Sequence, residues 1–122
     1  MRKARSASVP PSVRLPSRTV REKFLITYEL EGCQKAVDYL TEYYGIKKMK
    51  IVLDGRKVPK ECYGYYSKNK AYFTKEGLKR RVVLHELYHH LIYSKDCELP
   101  TKTEEREANN YTRDFLGFFR KR

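Results

Sequence analysis

The segment RVVLHELYHHLI, residues 81–92, constrains the fold of this chain more than any other part of its sequence. Its apolar residues recur at helical spacing around most of the circumference, which is typical of a helix buried at the centre of a domain. All three histidines of the chain lie in this segment together with one glutamate. Imidazole and carboxylate groups are costly to bury unless they have partners. The segment therefore predicts a central helix whose polar groups meet a partner from elsewhere.

The spacing of His85, Glu86 and His89 is that of a metal-binding helix. Residues four apart lie one turn above each other and roughly 40° apart, so both imidazoles can reach one zinc ion. Glu86 lies too far around the helix to be a ligand and is placed to hydrogen-bond a water molecule on the metal. His90 points about 100° away from His89. We expect His90 to lie in the core or beside the ligands, and not on the metal.

A third ligand has to come from outside this motif. Catalytic zinc sites use three protein ligands, and no further histidine is present in the chain. Cys97 follows the helix on a short loop, but zinc sites seldom use one unpaired cysteine. Cys33, Cys62 and Cys97 form no C-x-x-C pair, so buried thiols are the simpler interpretation.

The acidic segment TEEREANNY, residues 103–111, is the better source of the third ligand. It begins a predicted helix whose apolar face consists of Ala108, Tyr111, Phe115 and Phe119. Glu104 and Glu105 both lie on or beside that face, whereas Glu107 points away from it. Asn109 follows Glu105 by one turn and could hold a ligating histidine by its second ring nitrogen. Glu105 is therefore the predicted ligand, with Glu104 as the alternative.

The remaining patterns predict an α+β fold, with a small three- or four-stranded sheet packed on the histidine helix and the glutamate-bearing helix. The predicted elements are a strand or helix start at 21–30, a helix at 31–45, a strand at 46–55, a hairpin at 62–74, a helix at 75–94 capped by Thr74, and a helix at 103–118.

The N-terminal segment, residues 1–20, is basic and rich in serine and proline, and it predicts a flexible tail. Residues 21–122 are expected to form a single domain. The net charge of the chain is +12, and six basic residues without an acidic one fall in residues 1–21. This balance favours acidic partners, and the tail is a candidate nucleic-acid contact.

The hydropathy pattern bears on location. No segment approaches the ~20 apolar residues of a membrane span. No apolar run follows the basic N-terminus, as a secretory signal would require. We therefore expect a cytoplasmic protein that does not enter a membrane.

Two motifs carry a resemblance to a known family. HELYH at 85–89, followed by EREAN at 105–109, resembles the gluzincins, zinc metallopeptidases whose third ligand is a glutamate. HELYHHLI with EREANNY also resembles the ImmA/IrrE type of metallopeptidase domain, and the short chain is similar to the minigluzincins. The resemblance covers about residues 46–116. The chain departs from the ImmA pattern at Thr112, where alanine is usual, and in lacking a helix-turn-helix partner.

The resemblance implies a zincin-like fold and hydrolysis of peptide bonds, most simply by an endopeptidase. Zinc held by His85, His89 and Glu105 would activate a water molecule and polarise the scissile carbonyl. Glu86 would act as general base and then as general acid. The alternative is a non-catalytic zincin-fold protein with a regulatory or nucleic-acid-associated role, but such a protein has no use for a base at position 86.

Two further expectations concern the substrate. An oxyanion stabiliser is needed, and Tyr93 and Tyr111 are the candidates because they lie beside the predicted ligands. A peptide substrate is expected to add as a strand to a free sheet edge formed by the outer arm of the hairpin, at about Ala71–Phe73.

Overall fold

The computed structural model describes residues 14–117. This part of the chain contains four α-helices and three short strands. The elements in chain order are α1 (Arg18–Glu31), α2 (Cys33–Tyr44), β1 (Lys50–Leu53), β2 (Gly64–Ser67), β3 (Lys70–Phe73), α3 (Arg80–Ser94) and α4 (Thr101–Gly117). The predicted α+β class is confirmed. Within the described range no helix is both long and apolar enough to cross a membrane.

Helix α1 occupies the segment for which a strand or a helix start was predicted. It begins at Arg18, where the Ser17 hydroxyl accepts a hydrogen bond from the Val20 amide at 3.3 Å and caps the helix. Residues 18–20 were assigned to the flexible tail and are helical instead. Residues 1–13 of that predicted tail lie outside the described part of the chain.

Helix α2 agrees with the predicted helix at 31–45. Gly32, with a φ of 101°, separates it from α1, and Gly45 ends it in the left-handed conformation with a φ of 72°. Glycine adopts this conformation without steric cost, which is why it so often ends a helix.

The three strands form one mixed sheet in the order β1-β3-β2. Strand β3 pairs in parallel with β1 and antiparallel with β2. The hairpin closes through Lys68 and Asn69, whose φ values of 45° and 70° are those of a two-residue type I′ turn. The expectation that Ala71–Phe73 would be a free edge is wrong, because β1 covers that side of β3. Strand β2 is an edge, with β3 as its one partner among the described strands.

The histidine helix begins later than predicted. Helix α3 starts at Arg80, and Thr74 instead closes a preceding turn by accepting a hydrogen bond from the Gly77 amide at 2.9 Å. A Cβ atom on Gly77 would lie 2.1 Å from the carbonyl oxygen of Tyr63, so only glycine lets this turn pack so closely. The turn therefore holds the start of β2 against the approach to α3.

Helix α3 is the central helix, as its sequence predicted. Its buried residues are Val83, Leu84, Glu86, Leu87, Tyr88, His90, Leu91 and Ile92. Helix α4 packs along it and buries three residues of the predicted apolar face, Ala108, Tyr111 and Phe115. Phe119, the fourth, lies outside the described residues.

His90 is a structural residue that ties α3 to strand β2 and to the loop before β1. Its Nε2 lies 2.6 Å from the carbonyl oxygen of Lys47, and its Nδ1 lies 2.7 Å from the hydroxyl of Tyr66. Because a carbonyl can only accept, Nε2 carries the proton and Nδ1 accepts from Tyr66. Burial lowers the pKa of His90, which agrees with a neutral ring.

Tyr88 offers a test of this core. Its hydroxyl is buried and has no hydrogen-bond partner among the described residues. Tyr88→Phe should leave the free energy of unfolding unchanged or raise it by up to about 1–3 kcal/mol, because a desolvated, unpaired group is removed. Tyr66→Phe is the matched control and should lower it by about 1–3 kcal/mol, because His90 Nδ1 loses its donor. Urea unfolding measures both, and a clear loss of stability in Tyr88→Phe would contradict this description.

Candidate metal centre

The contact between α3 and α4 brings the three predicted ligands together. His85 Nε2 and His89 Nε2 lie 3.3 Å apart. The two carboxylate oxygens of Glu105 reach them separately, Oε1 at 3.0 Å from His85 Nε2 and Oε2 at 2.9 Å from His89 Nε2. One donor atom from each residue lies within 4.8 Å of the other two, in an arrangement that can hold a metal ion.

The structure separates the roles of the two competing glutamates. Glu104 does not join the cluster of three. Its Oε2 lies 2.5 Å from His89 Nδ1, which is the ring nitrogen that faces away from the cluster. A carboxylate on that second nitrogen fixes the orientation of the ring and leaves Nε2 as the metal-binding atom. The geometry therefore favours Glu105 over Glu104 as the third ligand.

Asn109 is the polar residue of α4 that interacts with the other histidine, His85. It lies one turn after Glu105 on α4, and its side chain is within hydrogen-bonding range of His85. Each of the two histidines is thus contacted by one polar residue of α4 besides Glu105. Such contacts restrict the rings to the orientation that a metal ion requires.

The donor set matches zinc in both chemistry and spacing. Two imidazoles and one carboxylate are the ligands of many catalytic zinc sites. With metal–nitrogen distances of about 2.0–2.1 Å, tetrahedral zinc separates its donors by about 3.3 Å. The observed separation of the two Nε2 atoms is 3.3 Å. The residues present therefore fit a zinc ion.

The electrostatics of the cluster are those of a partly buried site. Burial, followed by repulsion from His89, lowers the pKa of His85, while Glu105 and Asn109 oppose this shift. The neutral imidazole that results is the form that binds a metal ion. Glu86 is 7% exposed, and its burial raises the pKa of the carboxyl group to about 7, with Glu105 adding to the shift and His89 opposing it.

The cluster lies in a cavity of about 770 Å³ between β2, α3 and α4. Glu86 lines the same cavity, next to the two histidines. Gly64 of β2 packs directly on this helix, since a Cβ atom there would lie 3.1 Å from Val82 Cγ1 and 3.2 Å from Glu86 Cγ. The absence of a side chain at Gly64 thus lets the edge strand approach the glutamate closely.

The two tyrosines predicted as oxyanion stabilisers do not line this cavity. The Tyr111 hydroxyl points into the core, where it lies 2.8 Å from the hydroxyl of Tyr44. Tyr93 is 51% exposed and packs edge-on against Tyr66. The structure does not bring either hydroxyl to the metal cluster, because Tyr111 lies on the buried face of α4 and Tyr93 on the outer side of α3.

The cavity is also lined by residues that were not predicted from the sequence. Tyr63 and Tyr65 come from the edge strand and its approach, and Arg81 and Arg113 come from the two helices. Cys62 also lines it, although it is not a member of the metal-binding cluster. The two arginines could have been predicted from helical periodicity, because each extends the face of the predicted site residues by one turn, 81-85-89 on α3 and 105-109-113 on α4.

Comparisons of the chain with protein-family models, with curated proteins and with solved structures gave no match.

The assignment of the ligands can be tested by metal binding. Glu105→Gln should abolish stoichiometric zinc binding, since it removes the carboxylate that reaches both histidines. Glu104→Gln should keep the ligands and weaken zinc affinity by about 10- to 100-fold, the usual effect of losing a group that orients a ligand. Elemental analysis and competition with a chromogenic chelator measure both. If Glu104→Gln lost zinc while Glu105→Gln retained it, the two roles assigned here would be wrong.

Proposed function

We propose that this protein is a zinc-dependent peptidase with a zincin-like fold. The observation that carries the proposal is the convergence of His85, His89 and Glu105 in a cavity that also contains the buried carboxyl group of Glu86. When bound there, zinc would supply a Lewis acid that polarises a carbonyl group and lowers the pKa of water. The HELYH and EREAN motifs support the same class of enzyme.

Glu86 has the position that a general base needs. It follows His85 directly on α3 and lines the cavity beside the ligands, but it is not one of the three converging residues. In the proposed reaction its carboxylate takes a proton from the attacking water and passes it to the nitrogen of the leaving amine. A protein that only bound zinc or a partner would gain nothing from a carboxyl group buried there, since burial of an unneeded acid is costly.

Strand β2 is the proposed site for the peptide backbone. It pairs with β3 along one side, and among the described strands it has no partner along the other. An extended peptide can add to such an edge through main-chain hydrogen bonds, which hold the backbone irrespective of its side chains. The close packing of Gly64 on Glu86 would place the added strand next to the base. The edge that was expected at β3 is thus replaced in this proposal by β2.

The arrangement of elements supports the zincin-like description. The motif helix α3 is central, the edge strand β2 lies along one side of the cavity, and α4 brings the glutamate from the other side. The three converging residues and Glu86 all come from residues 46–116, the part of the chain that resembles the gluzincins.

The proposal predicts that one substitution separates metal binding from catalysis. Glu86→Gln should retain zinc and lose peptide cleavage by about 10²- to 10⁴-fold, because the base is removed and the ligands remain. Casein digestion and mass spectrometry of a cleaved peptide library measure the activity, and elemental analysis measures the metal.

The matched control is Glu107→Gln, a substitution on α4 that lies outside the cavity and should leave cleavage unchanged. Zinc-loaded wild-type protein that cleaves no peptide, or a Glu86→Gln variant as active as wild type, would contradict the proposal. In the first case the binding-protein alternative would account for the site better.

A further inference from the structure

Two arginines lie at one end of the cavity that contains the metal cluster. Arg81 precedes His85 by one turn on α3, and Arg113 follows Asn109 by one turn on α4. The helices run antiparallel, since His89 lies against Glu104 and Glu105, while His85, one turn earlier, lies against Glu105 and interacts with Asn109. When this register is extended by one turn on each helix, Arg81 lies opposite Arg113.

Both guanidinium groups have donors to offer a ligand. Arg81 is exposed, and its guanidinium group makes no hydrogen bond or ion pair within residues 14–117. Arg113 is 60% exposed and uses only its Nε on a neighbour, the carboxylate of Asp114 at 3.1 Å. Planar guanidinium groups bind carboxylates through paired hydrogen bonds, which is the usual reason to find two of them at a binding site.

The start of α3 adds to the positive potential at this end. Lys79 is its N-cap residue and provides no side-chain hydrogen bond, and no acidic residue lies in the first turn. The partial positive charge of a helix N-terminus is therefore not offset by the helix itself. With Arg81 on the first turn, this end of the cavity is built for an anionic group.

We infer that Arg81 and Arg113 bind a carboxylate of the peptide substrate, about two residues from the bond that is cleaved. This inference rests on the proposed peptidase function. Arg81 lies four positions before His85 on the helix, a rise of about 6 Å. An extended peptide advances about 3.3 Å per residue, so the same distance spans about two residues.

The direction of the edge strand β2 determines on which side of the cleaved bond the carboxylate lies. Gly64 lies beside Val82 and Glu86, and Tyr66 lies beside His90, so β2 runs in the same direction as α3. A peptide added antiparallel to β2 runs the opposite way, with its C-terminal part toward Arg81. Antiparallel pairing is the more stable of the two arrangements. The carboxylate is therefore an acidic side chain, or the free C-terminus, on the C-terminal side of the cleaved bond.

Paired substrates test the inference and distinguish the two sources of the carboxylate. The best cleaved library peptide is compared with versions that carry glutamate or glutamine as the second residue after the cleaved bond. In each version this residue is the last of the peptide, and it ends either in a free carboxylic acid or in an amide. At least one carboxylate form should have a kcat/KM about 10- to 100-fold above its neutral counterpart. Equal values for all forms would overturn the inference and leave the peptidase function standing.

Arginine variants then assign the preference to named residues. Arg81→Gln and Arg113→Gln should each reduce the preference for the carboxylate form, and together they should remove it. Arg106→Gln is the matched control, because Arg106 lies on α4 outside the cavity and pairs with Glu107. Preference that survives in the double variant, with thermal unfolding unchanged, would contradict the inference.

Binding provides a readout that does not require turnover. Fluorescent alanine-based octapeptides with a free carboxylate, with an amide, or with one internal glutamate are titrated into zinc-loaded Glu86→Gln protein and followed by anisotropy. Tighter binding of a carboxylate peptide, lost in the arginine double variant, supports the inference. Equal binding of all three overturns it. Cleavage of no peptide by the wild type would instead mean that the proposed function has failed.

Discussion

The antiparallel contact between α3 and α4 is the interaction on which the rest of this structure depends. Helix α3 carries polar groups into the centre of the domain, and buried imidazoles and carboxyl groups are tolerated only when they have partners. Helix α4 supplies those partners from one polar face, with Glu104 on His89 Nδ1 and Glu105 across both Nε2 atoms. The same contact packs Tyr88 of α3 against Tyr111 of α4, with ring centroids 5.4 Å apart, so hydrophobic packing holds the helix pair together beside the polar cluster.

Much of this contact could be predicted from residue spacing. Helical periodicity put His85 and His89 on one face of α3, and a single acidic segment was available to face them. The periodicity could not assign the separate role of Glu104, because a helical wheel gives the angle of a side chain but not the axial register of one helix against another. That register is set by tertiary packing, and the structure shows both glutamates in contact with histidines in different ways.

The differences between prediction and structure have the same origin in contacts between distant parts of the chain. Strand β3 was taken for an edge because its parallel pairing with β1 leaves no local signal. Thr74 was taken for a helix cap because the packing of Gly77 on Tyr63 delays the start of α3. Tyr111 was taken for a site residue because its position beside Glu105 could not reveal that its hydroxyl meets Tyr44 in the core. Local patterns thus predicted which residues of α3 and α4 lie together more reliably than they predicted the strands and turns around them.

We propose that His85, His89 and Glu105 hold one zinc ion. Anomalous diffraction from crystals of zinc-loaded protein, recorded on both sides of the zinc absorption edge, tests it most directly. We expect one strong peak about 2.0–2.2 Å from both Nε2 atoms and from a Glu105 carboxylate oxygen, with Glu104 remaining on His89 Nδ1. A zinc peak on Glu104 or Cys97, or the lack of any peak between the two histidines in zinc-loaded crystals, would contradict it.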